Sequence, residues 1–276
     1  MHANLLALGA IALWASLASL GVALDHVPPF LLTGIALIIG SIPAWPLVRQ
    51  WKVPPRTLAL GVYGLFGFHF LLFLALRMAP PVEANLVNYL WPLLLVVMAP
   101  LVLPGLALRR AHVLAALAGF AGAAIAILGA RGASTAAGIW HWGYLPALGS
   151  AFIWASYSLW TRRVPAFPTA AIGLFGLLSG LLSLACHWAL ESPAALAPRD
   201  WALLALMGLG PLGAAFFLWD KALKSGDARQ IGILSYLTPL ASTLLLLTVT
   251  QRPLSSSIAV AAALIIGAAV VGTRAG

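Results

Sequence analysis

Charged residues are scarce in this chain of 276 residues: only 8% are Asp, Glu, Lys or Arg, and only six of these are acidic. A soluble domain carries roughly 25% charged residues, so this sequence cannot cover a globular surface with polar groups. A single cysteine, Cys186, excludes an intramolecular disulfide. The chain also lacks a phosphate-binding glycine-rich loop, a His/Cys cluster with metal spacing and a Ser-His-Asp set. We therefore expect no enzyme activity, no metal and no cofactor.

Long apolar runs fill the rest of the chain, in which 62% of residues are hydrophobic and the mean hydropathy is +1.02. Ten runs are near or above 18 residues, long enough for a helix to cross about 30 Å of hydrocarbon. They cover residues 4–24, 30–48, 58–77, 82–103, 111–130, 143–161, 168–190, 201–222, 229–249 and 256–273. Barrel strands would alternate polar and apolar residues, so unbroken runs favour helices. The sequence predicts an all-α polytopic membrane protein with ten transmembrane helices.

An internal repeat divides the ten predicted spans into two halves. The tripeptides Ala-Leu-Gly at 7–9 and Trp-Ala-Ser at 14–16 return at 147–149 and 154–156 with the same spacing. Two homologous halves of five spans each must lie upside down to one another in the membrane. We expect a first five-helix repeat over 1–130, an extracytoplasmic linker over 131–142 and a second five-helix repeat over 143–276. Inverted repeats of this kind are typical of transporters, with the substrate site near mid-membrane.

The basic residues set the predicted orientation. With the N-terminus in the cytoplasm, eleven Lys and Arg residues fall inside and four fall outside, a positive-inside bias. The inner set is Arg49, Lys52, Arg56, Arg109, Arg110, Arg162, Arg163, Lys221, Lys224, Arg229 and Arg274, and the outer set is Arg77, Arg131, Arg199 and Arg252. Both termini are then cytoplasmic, and the net charge of +9 indicates contact with anionic lipid, not nucleic acid. The short connections leave no room for an ATP-hydrolysing domain, and we expect no obligatory ATPase partner.

Three tryptophans lie in the middle of predicted spans, away from the membrane interfaces that tryptophan usually occupies. Trp14 and Trp154 are repeat equivalents, and Trp91 lies in the fourth span. An indole N–H at that depth has no water and needs a partner. Packing between helices and the wall of a substrate site both explain this placement. Six other tryptophans lie near span ends, as interfacial anchors would: Trp45, Trp51, Trp140, Trp142, Trp188 and Trp201.

The fourth span carries the densest set of polar residues. Asn85, Asn88, Tyr89 and Pro92 share one face of a continuous helix, and Glu83 precedes them near the outer end. Polar groups are costly against lipid, so we expect this face to point inward. Pro92 removes the N–H that would bond to the carbonyl of Asn88 and leaves that acceptor free. Hydrogen bonding between helices is the alternative role for these side chains.

The ninth span repeats this arrangement, and the third span adds one titratable group. Ser235, Tyr236 and Pro239 take places like those of the fourth-span residues. His69 lies in the middle of the third span, as either a structural hydrogen-bond donor or a proton carrier. Glycines crowd the fifth and tenth spans, where they favour close packing and a scaffold role.

The duplicated five-helix unit resembles the EamA-type repeat of the drug/metabolite transporter superfamily over essentially all 276 residues. Asn-Tyr-Leu-Trp-Pro at 88–92, with Trp-Ala-Ser at 14–16, resembles the YddG-type aromatic amino acid exporters within it. The resemblance implies an inner-membrane carrier with an aromatic-lined cavity that moves amino acids outward. Small four-helix multidrug members carry an essential Glu inside their first helix, whereas the first span here has only Asp25 at its end.

Together the repeat and the resemblance predict a secondary transporter that exports neutral, especially aromatic, amino acids and related metabolites by alternating access. The expected cavity is lined by the first, third, fourth, sixth, eighth and ninth spans. The predicted substrate-binding residues are Trp14, Asn85, Asn88, Tyr89, Trp91, Trp154, Tyr157 and Tyr236. Pro92 and Pro239 are predicted hinges, and His69 and Glu83 are candidates for a proton or polar site.

A structural or receptor role stays open, although it would leave the inverted repeats without a purpose, and so do two further alternatives to amino acid export. One is a multidrug, nucleotide-sugar or other metabolite carrier of the same fold, with or without proton coupling. The other is a membrane enzyme acting on lipid, which the lack of a catalytic set disfavours. Because intramembrane acids are scarce, we expect transport without a dedicated proton site.

Overall fold

The computed structural model describes residues 2–129, 141–249 and 256–274, and all regular secondary structure within these ranges is helical. The predictions made for Arg131, Trp140 and Arg252, and for most of the linker 131–142, lie outside the described residues. Long apolar runs predict an all-α membrane protein, and the helices confirm that class.

Nine helical segments in the described part of the chain are long and apolar enough to cross a membrane. A tenth helix, Tyr144–Trp160, has 17 residues and is about 26 Å long at 1.5 Å per residue. In chain order the ten are α1 (His2–Ala23), α2 (Pro29–Trp51), α3 (Pro55–Met78), α4 (Pro81–Val102), α5 (Arg110–Leu128), α6 (Tyr144–Trp160), α7 (Ala171–Leu190), α8 (Pro198–Ser225), α9 (Ala228–Val249) and α10 (Ser256–Arg274).

Links between helices gather at two ends of the bundle. At one end, Gly226 packs against Ala3, and the Arg229 guanidinium donates to the carbonyl oxygen of Ala107. We call this the terminal end, because α1 begins and α10 ends there. At the other, the far end, the Glu191 carboxylate accepts hydrogen bonds from the backbone N–H of Phe30. The helices therefore run between these two ends, in alternating directions.

The short helix α6 also connects both ends. Before it begins, Gly143 packs against Ala79 at the far end. After it ends, the Arg162 guanidinium donates to the carbonyl oxygen of Gly226 at the terminal end, 3.1 Å away. The segment from Gly143 to Arg162, which contains α6, thus connects the two ends of the bundle.

The packing of α1–α5 corresponds to that of α6–α10. Helix α1 packs against α8 and α9, as α6 packs against α3 and α4. Helix α2 contacts α8, and its counterpart α7 contacts α3. The pairs α2–α7 and α5–α10 join counterparts directly. Most contacts of the first five helices therefore have counterparts among the second five, although within the described residues α5 packs against α9 while α10 makes no comparable contact with α4.

Irregular turns interrupt corresponding helices of the two sets. Helix α3 contains a π-helical turn at Tyr63–Gly67, and α8 contains one at Gly210–Ala214. Helix α4 is interrupted between Asn88 and Trp91, and α9 is interrupted between Leu234 and Leu237. The polar face of the fourth span was expected on a continuous helix. The helix breaks instead because Pro92 lacks an N–H and its ring crowds the preceding turn.

Small residues bring α5 and α10 together, as their glycine content predicts. A Cβ added at Gly122 would lie 2.7 Å from Ile265, and one at Gly272 would lie 2.5 Å from Ile233 of α9. Gly267 differs, because a Cβ there would meet nothing within 4 Å. Glycine thus allows close approach at two of these three positions.

Candidate functional site

Four tryptophans from four helices meet in the middle of the bundle. Trp14 of α1 lies with its ring centroid 5.8 Å from that of Trp154 of α6 and 5.2 Å from that of Trp219 of α8. Trp91 of α4 lies 6.4 Å from both Trp14 and Trp154 and 5.6 Å from Trp219. Most of these pairs are edge-to-face or tilted, the arrangements that the ring quadrupole favours.

Three further rings extend this group. Phe68 of α3 lies 5.3 Å from Trp154, Phe216 of α8 lies 5.6 Å from it, and Tyr157 lies 5.5 Å from it. We call the whole set the aromatic cluster: Trp14, Phe68, Trp91, Trp154, Tyr157, Phe216 and Trp219. Its rings come from α1, α3, α4, α6 and α8, five of the six spans that were expected to line a cavity.

Helix irregularities help to position the cluster. The indole N–H of Trp14 donates to the carbonyl oxygen of Pro211, 3.0 Å away in the π-helical turn of α8. Trp91 is the first residue after the break in α4. Gly64, in the π-helical turn of α3, packs against the face of Tyr157, where an added Cβ would lie 2.3 Å from the ring. The irregular turns therefore supply both a free acceptor and the room that the rings need.

Two of the indole N–H groups remain available to a ligand. The N–H of Trp219 donates to the Ser158 hydroxyl at 3.1 Å, and that of Trp14 is bonded to Pro211. Those of Trp91 and Trp154 form no hydrogen bond with any residue that the structure describes. A molecule that entered the cluster would meet aromatic faces and two donors.

His69 borders the cluster, and one of its two ring nitrogens is hydrogen-bonded within the protein. Its ring lies 5.0 Å from that of Phe68 and 6.4 Å from that of Phe216. Its Nδ1 lies 2.6 Å from the carbonyl oxygen of Leu65, which can only accept. Nδ1 therefore carries a proton, and Nε2 of the neutral ring is an acceptor.

One polar side chain of α4 contacts α6 directly. Asn88 is buried, and its Oδ1 accepts a hydrogen bond from the Ser150 hydroxyl at 2.8 Å. Asn85 and Tyr89 are half-buried, and Glu83 lies half-buried in the first turn of α4. The Asn88 hydrogen bond joins α4 to α6, so this side chain is a contact between the two halves.

The structure thus brings four of the predicted substrate-binding residues together: Trp14, Trp91, Trp154 and Tyr157. Tyr236 lies elsewhere, fully buried among apolar side chains of α5 and α10, with its ring 6.5 Å from that of Phe120. Pro92 and Pro239 are buried just after the breaks in α4 and α9.

Three cluster members were missed at the sequence level: Phe68, Phe216 and Trp219. A span at 201–222 places Trp219 near a helix end, where an interfacial anchor is expected. Helix α8 extends to Ser225, so Trp219 lies deeper than that span indicates. Phe216 and Trp219 are three residues apart and share a helix face, a signal that was present in the sequence.

No group of three or more His, Cys, Asp or Glu side chains that could hold a metal ion occurs in the described ranges. The aromatic cluster is a place for contacts with apolar and aromatic groups, with few polar contacts to fix orientation.

Comparison with known proteins identifies a family with this architecture. The profile of the EamA-like transporter family matches twice, over residues 1–128 and 141–273. The chain is 42% identical over 279 residues to the aromatic amino acid exporter YddG of Ancylobacter novellus, covering 98% of this chain and 96% of that protein. It is 27% identical to the exporter of the same name from Escherichia coli, over 92% of this chain and 91% of the relative.

A solved crystal structure of a protein 39% identical to this chain superimposes with a TM-score of 0.91. The match covers 99% of this chain and 98% of the other. The family match spans nearly all of the sequence, and the relatives are matched along almost their whole length. The chain therefore belongs to the EamA-like transporter family and is a multi-pass membrane transporter.

Proposed function

We propose that this protein is a secondary transporter that exports neutral, especially aromatic, amino acids and related metabolites across the inner membrane. The observation that carries the proposal is the aromatic cluster, where four indole rings from both halves of the chain converge. The name of the relative from Ancylobacter novellus, an aromatic amino acid exporter, supports the same substrate class.

The chemistry of the cluster suits an aromatic side chain better than a charged one. Edge-to-face pairing with an indole contributes about 0.5–1.5 kcal/mol per ring beyond area burial. The unpaired N–H groups of Trp91 and Trp154 would donate to the carboxylate of the amino acid. Nε2 of His69 and the amide of Asn88 would serve its ammonium group and fix its orientation.

We propose ten transmembrane helices arranged as two inverted repeats, residues 1–130 and 143–276. Support comes from the corresponding contacts of α1 with α8 and α9 and of α6 with α3 and α4, and from the opposite directions of α1 and α6. The paired π-helical turns of α3 and α8, and the paired breaks of α4 and α9, add to it. Transport would proceed by rocking of the halves about the cluster, with Pro92 and Pro239 at the hinges.

The terminal end is proposed to face the cytoplasm, which puts both chain termini inside. Eleven of the fifteen Lys and Arg residues then lie on that side, as the positive-inside rule requires. The proposed ligand partners are the transported small molecule and membrane lipid, with no nucleic acid and no obligatory ATPase.

The test is counterflow in proteoliposomes that contain the purified chain. Vesicles loaded with unlabelled phenylalanine are diluted into labelled phenylalanine, and a panel of tryptophan, leucine, lysine, glutamate and ethidium competes from outside. Aromatic and large neutral amino acids should compete, and lysine and glutamate should not. Strong competition by ethidium alone would favour a multidrug carrier over an amino acid exporter.

Trp154→Ala tests the cluster in the same assay. Trp154 contacts six aromatic neighbours and is therefore central to the cluster. Its loss should reduce phenylalanine exchange by about tenfold or more, the effect expected when two aromatic ring contacts are lost. Trp188→Ala is the matched control, since that side chain is 88% exposed. Equal exchange by both variants, each monodisperse after purification, would remove the cluster from the substrate path.

A further inference from the structure

A second concave site lies at the terminal end, away from the aromatic cluster. A groove of about 370 Å³ opens between the first turns of α3, the end of α6 and the link to α7. We call it the arginine groove and define it by Arg56, Leu60, Tyr63, Trp160, Arg163 and Val164.

Aromatic and apolar side chains form the wall of the arginine groove. The rings of Tyr63 and Trp160 lie 6.1 Å apart, inclined by 34°. The Tyr63 hydroxyl is bonded to the Ser156 hydroxyl at 2.8 Å, which fixes the ring. Trp160 is 41% exposed at the end of its helix, where tryptophan meets the membrane interface. This wall suits hydrocarbon or a glycerol backbone.

Two positive charges line the same groove without a negative partner. Arg56 and Arg163 are both exposed, and neither forms an ion pair with any residue in the described ranges. Like charges that share a groove repel one another, and a bound anion relieves this repulsion. Guanidinium groups bind phosphate oxygens bidentately, which makes a phosphate the favoured anion.

At the far end, the start of α8 differs in that an acidic side chain there has a partner within the protein. Helix α8 begins with Pro-Arg followed by Asp200, whose Oδ2 lies 3.2 Å from Nε2 of His26 in the link after α1. Helix α3 also begins with Pro-Arg, but Thr57 takes the place of the acid. The link after α6 contains Arg163. Asp200 at the start of α8 therefore has a partner within the protein, whereas the arginine groove at the start of α3 is basic and open.

We propose that the arginine groove binds an anionic phospholipid, with its phosphate between Arg56 and Arg163 and its glycerol and first acyl carbons on Tyr63 and Trp160. A lipid is favoured over free phosphate because a free anion makes no use of the apolar wall. The position of the groove at a membrane-facing helix end also brings it level with headgroups. The proposal concerns lipid recognition and stands whether or not the substrate is an amino acid.

The experiment measures lipid retained on the full-length purified protein by native mass spectrometry, after titration with phosphatidylglycerol or phosphatidylcholine. Wild type should retain phosphatidylglycerol more strongly. The double variant Arg56→Gln/Arg163→Gln should weaken this retention by about thirtyfold, because each lost charge near a lipid surface costs about 1 kcal/mol. Arg110→Gln/Arg274→Gln is the matched control, since it removes two charges at the same end outside the groove.

Two further arms decide the chemistry. Arg56→Lys/Arg163→Lys keeps the charge without the planar fork and should give intermediate retention. Trp160→Ala should weaken the retention of phosphatidylglycerol. Inorganic phosphate should not compete with the lipid for this variant. The proposal is overturned if the groove variant retains phosphatidylglycerol as well as the control variant does, if phosphatidylcholine is retained equally by wild type, or if millimolar inorganic phosphate displaces the lipid completely.

Discussion

The two ends of the bundle hold their buried carboxylates in different ways. At the far end, the Glu191 side chain is 2% exposed and accepts hydrogen bonds from Arg77 at 2.7 Å and from the backbone N–H groups of Phe30 and Leu31 at 3.0 and 3.2 Å. Nδ1 of His187 lies 2.9 Å from Oε2 of Glu191. This carboxylate therefore ties α2 and α3 of the first half to the end of α7 in the second.

At the terminal end, Asp220 is equally buried but serves one half only. Its Oδ2 accepts hydrogen bonds from Lys224 at 2.7 Å and from Thr169 at 2.6 Å. Lys224 also donates to the carbonyl oxygen of Phe167 at 2.9 Å. All four residues belong to the second half of the chain.

The difference indicates which carboxylate responds to movement between the halves. A rocking motion that opens the far end must separate Glu191 from Arg77 or Phe30, whereas Asp220 and its partners can move as one body. In an alternating-access cycle we expect the Glu191 contacts to break and re-form, and the Asp220 contacts to persist.

The largest expected effect is that of Glu191→Ala. It leaves Arg77, His187 and two backbone N–H groups without their acceptor; Arg77 is 42% exposed and can reach water, but each buried donor left unsatisfied costs about 1–3 kcal/mol, which gives a total of about 3–5 kcal/mol. The free energy of unfolding in mixed micelles should fall by that amount, measured by denaturant titration. Asp25→Asn is the control, because that side chain is 80% exposed. Equal stability of the two variants would show that the Glu191 contacts do not hold the halves together.

The same variant should open the far end. Ser183 is buried there, with its hydroxyl donating to the carbonyl oxygen of Phe30 at 3.1 Å. A cysteine placed at 183, in a Cys186→Ser background, should react faster with a membrane-impermeant maleimide when Glu191 is alanine. Unchanged labelling would argue against a role for Glu191 in closing this end.

A smaller effect is expected for Asp220→Asn. Asparagine keeps an acceptor for Thr169, and Lys224 is 27% exposed and can reach water, so the unfolding free energy should fall by about 1–3 kcal/mol. Labelling of the cysteine at 183 should not change, because the Asp220 contacts lie within one half. Faster labelling in this variant would contradict the contrast between the ends.

Local patterns predicted much of this architecture and part of the site. Repeat spacing pairs Trp14 with Trp154, and the structure places their rings 5.8 Å apart. Apolar runs predicted the helices to within a few residues, and Pro92 gave a reason for the break in α4. These features depend on neighbouring residues or on a visible internal repeat.

Contacts between distant segments could not be predicted in the same way. Glu191 lies just after a helix end, and its partners Arg77 and Phe30 are 114 and 161 residues away in sequence. Burial of Tyr236 depends on Gly119, which lets the ring approach α5. Such pairings are set by how helices pack, and one sequence carries no record of that packing.

The smallest expected effect concerns the aromatic rings in the middle of the bundle, between its two ends. His69 contacts Phe68, Phe73 and Phe216 and forms no ion pair with a carboxylate in the described ranges. Because Nδ1 is bonded to the Leu65 carbonyl, a second proton must enter at Nε2 among these apolar rings. That protonated state has no compensating charge, which disfavours a proton carrier at this position.

We therefore expect an imposed pH gradient to drive no uphill accumulation of phenylalanine in proteoliposomes. His69→Ala and Glu83→Gln should respond to the gradient as wild type does, although His69→Ala lowers exchange if Nε2 holds the substrate ammonium. Downhill counterflow measured in the same vesicles controls for the amount of active protein. Uphill transport by wild type that disappears in one of these variants, while downhill exchange survives, would contradict this expectation. It would place a proton site in the middle of the bundle if the variant is His69→Ala, and near the start of α4 if it is Glu83→Gln.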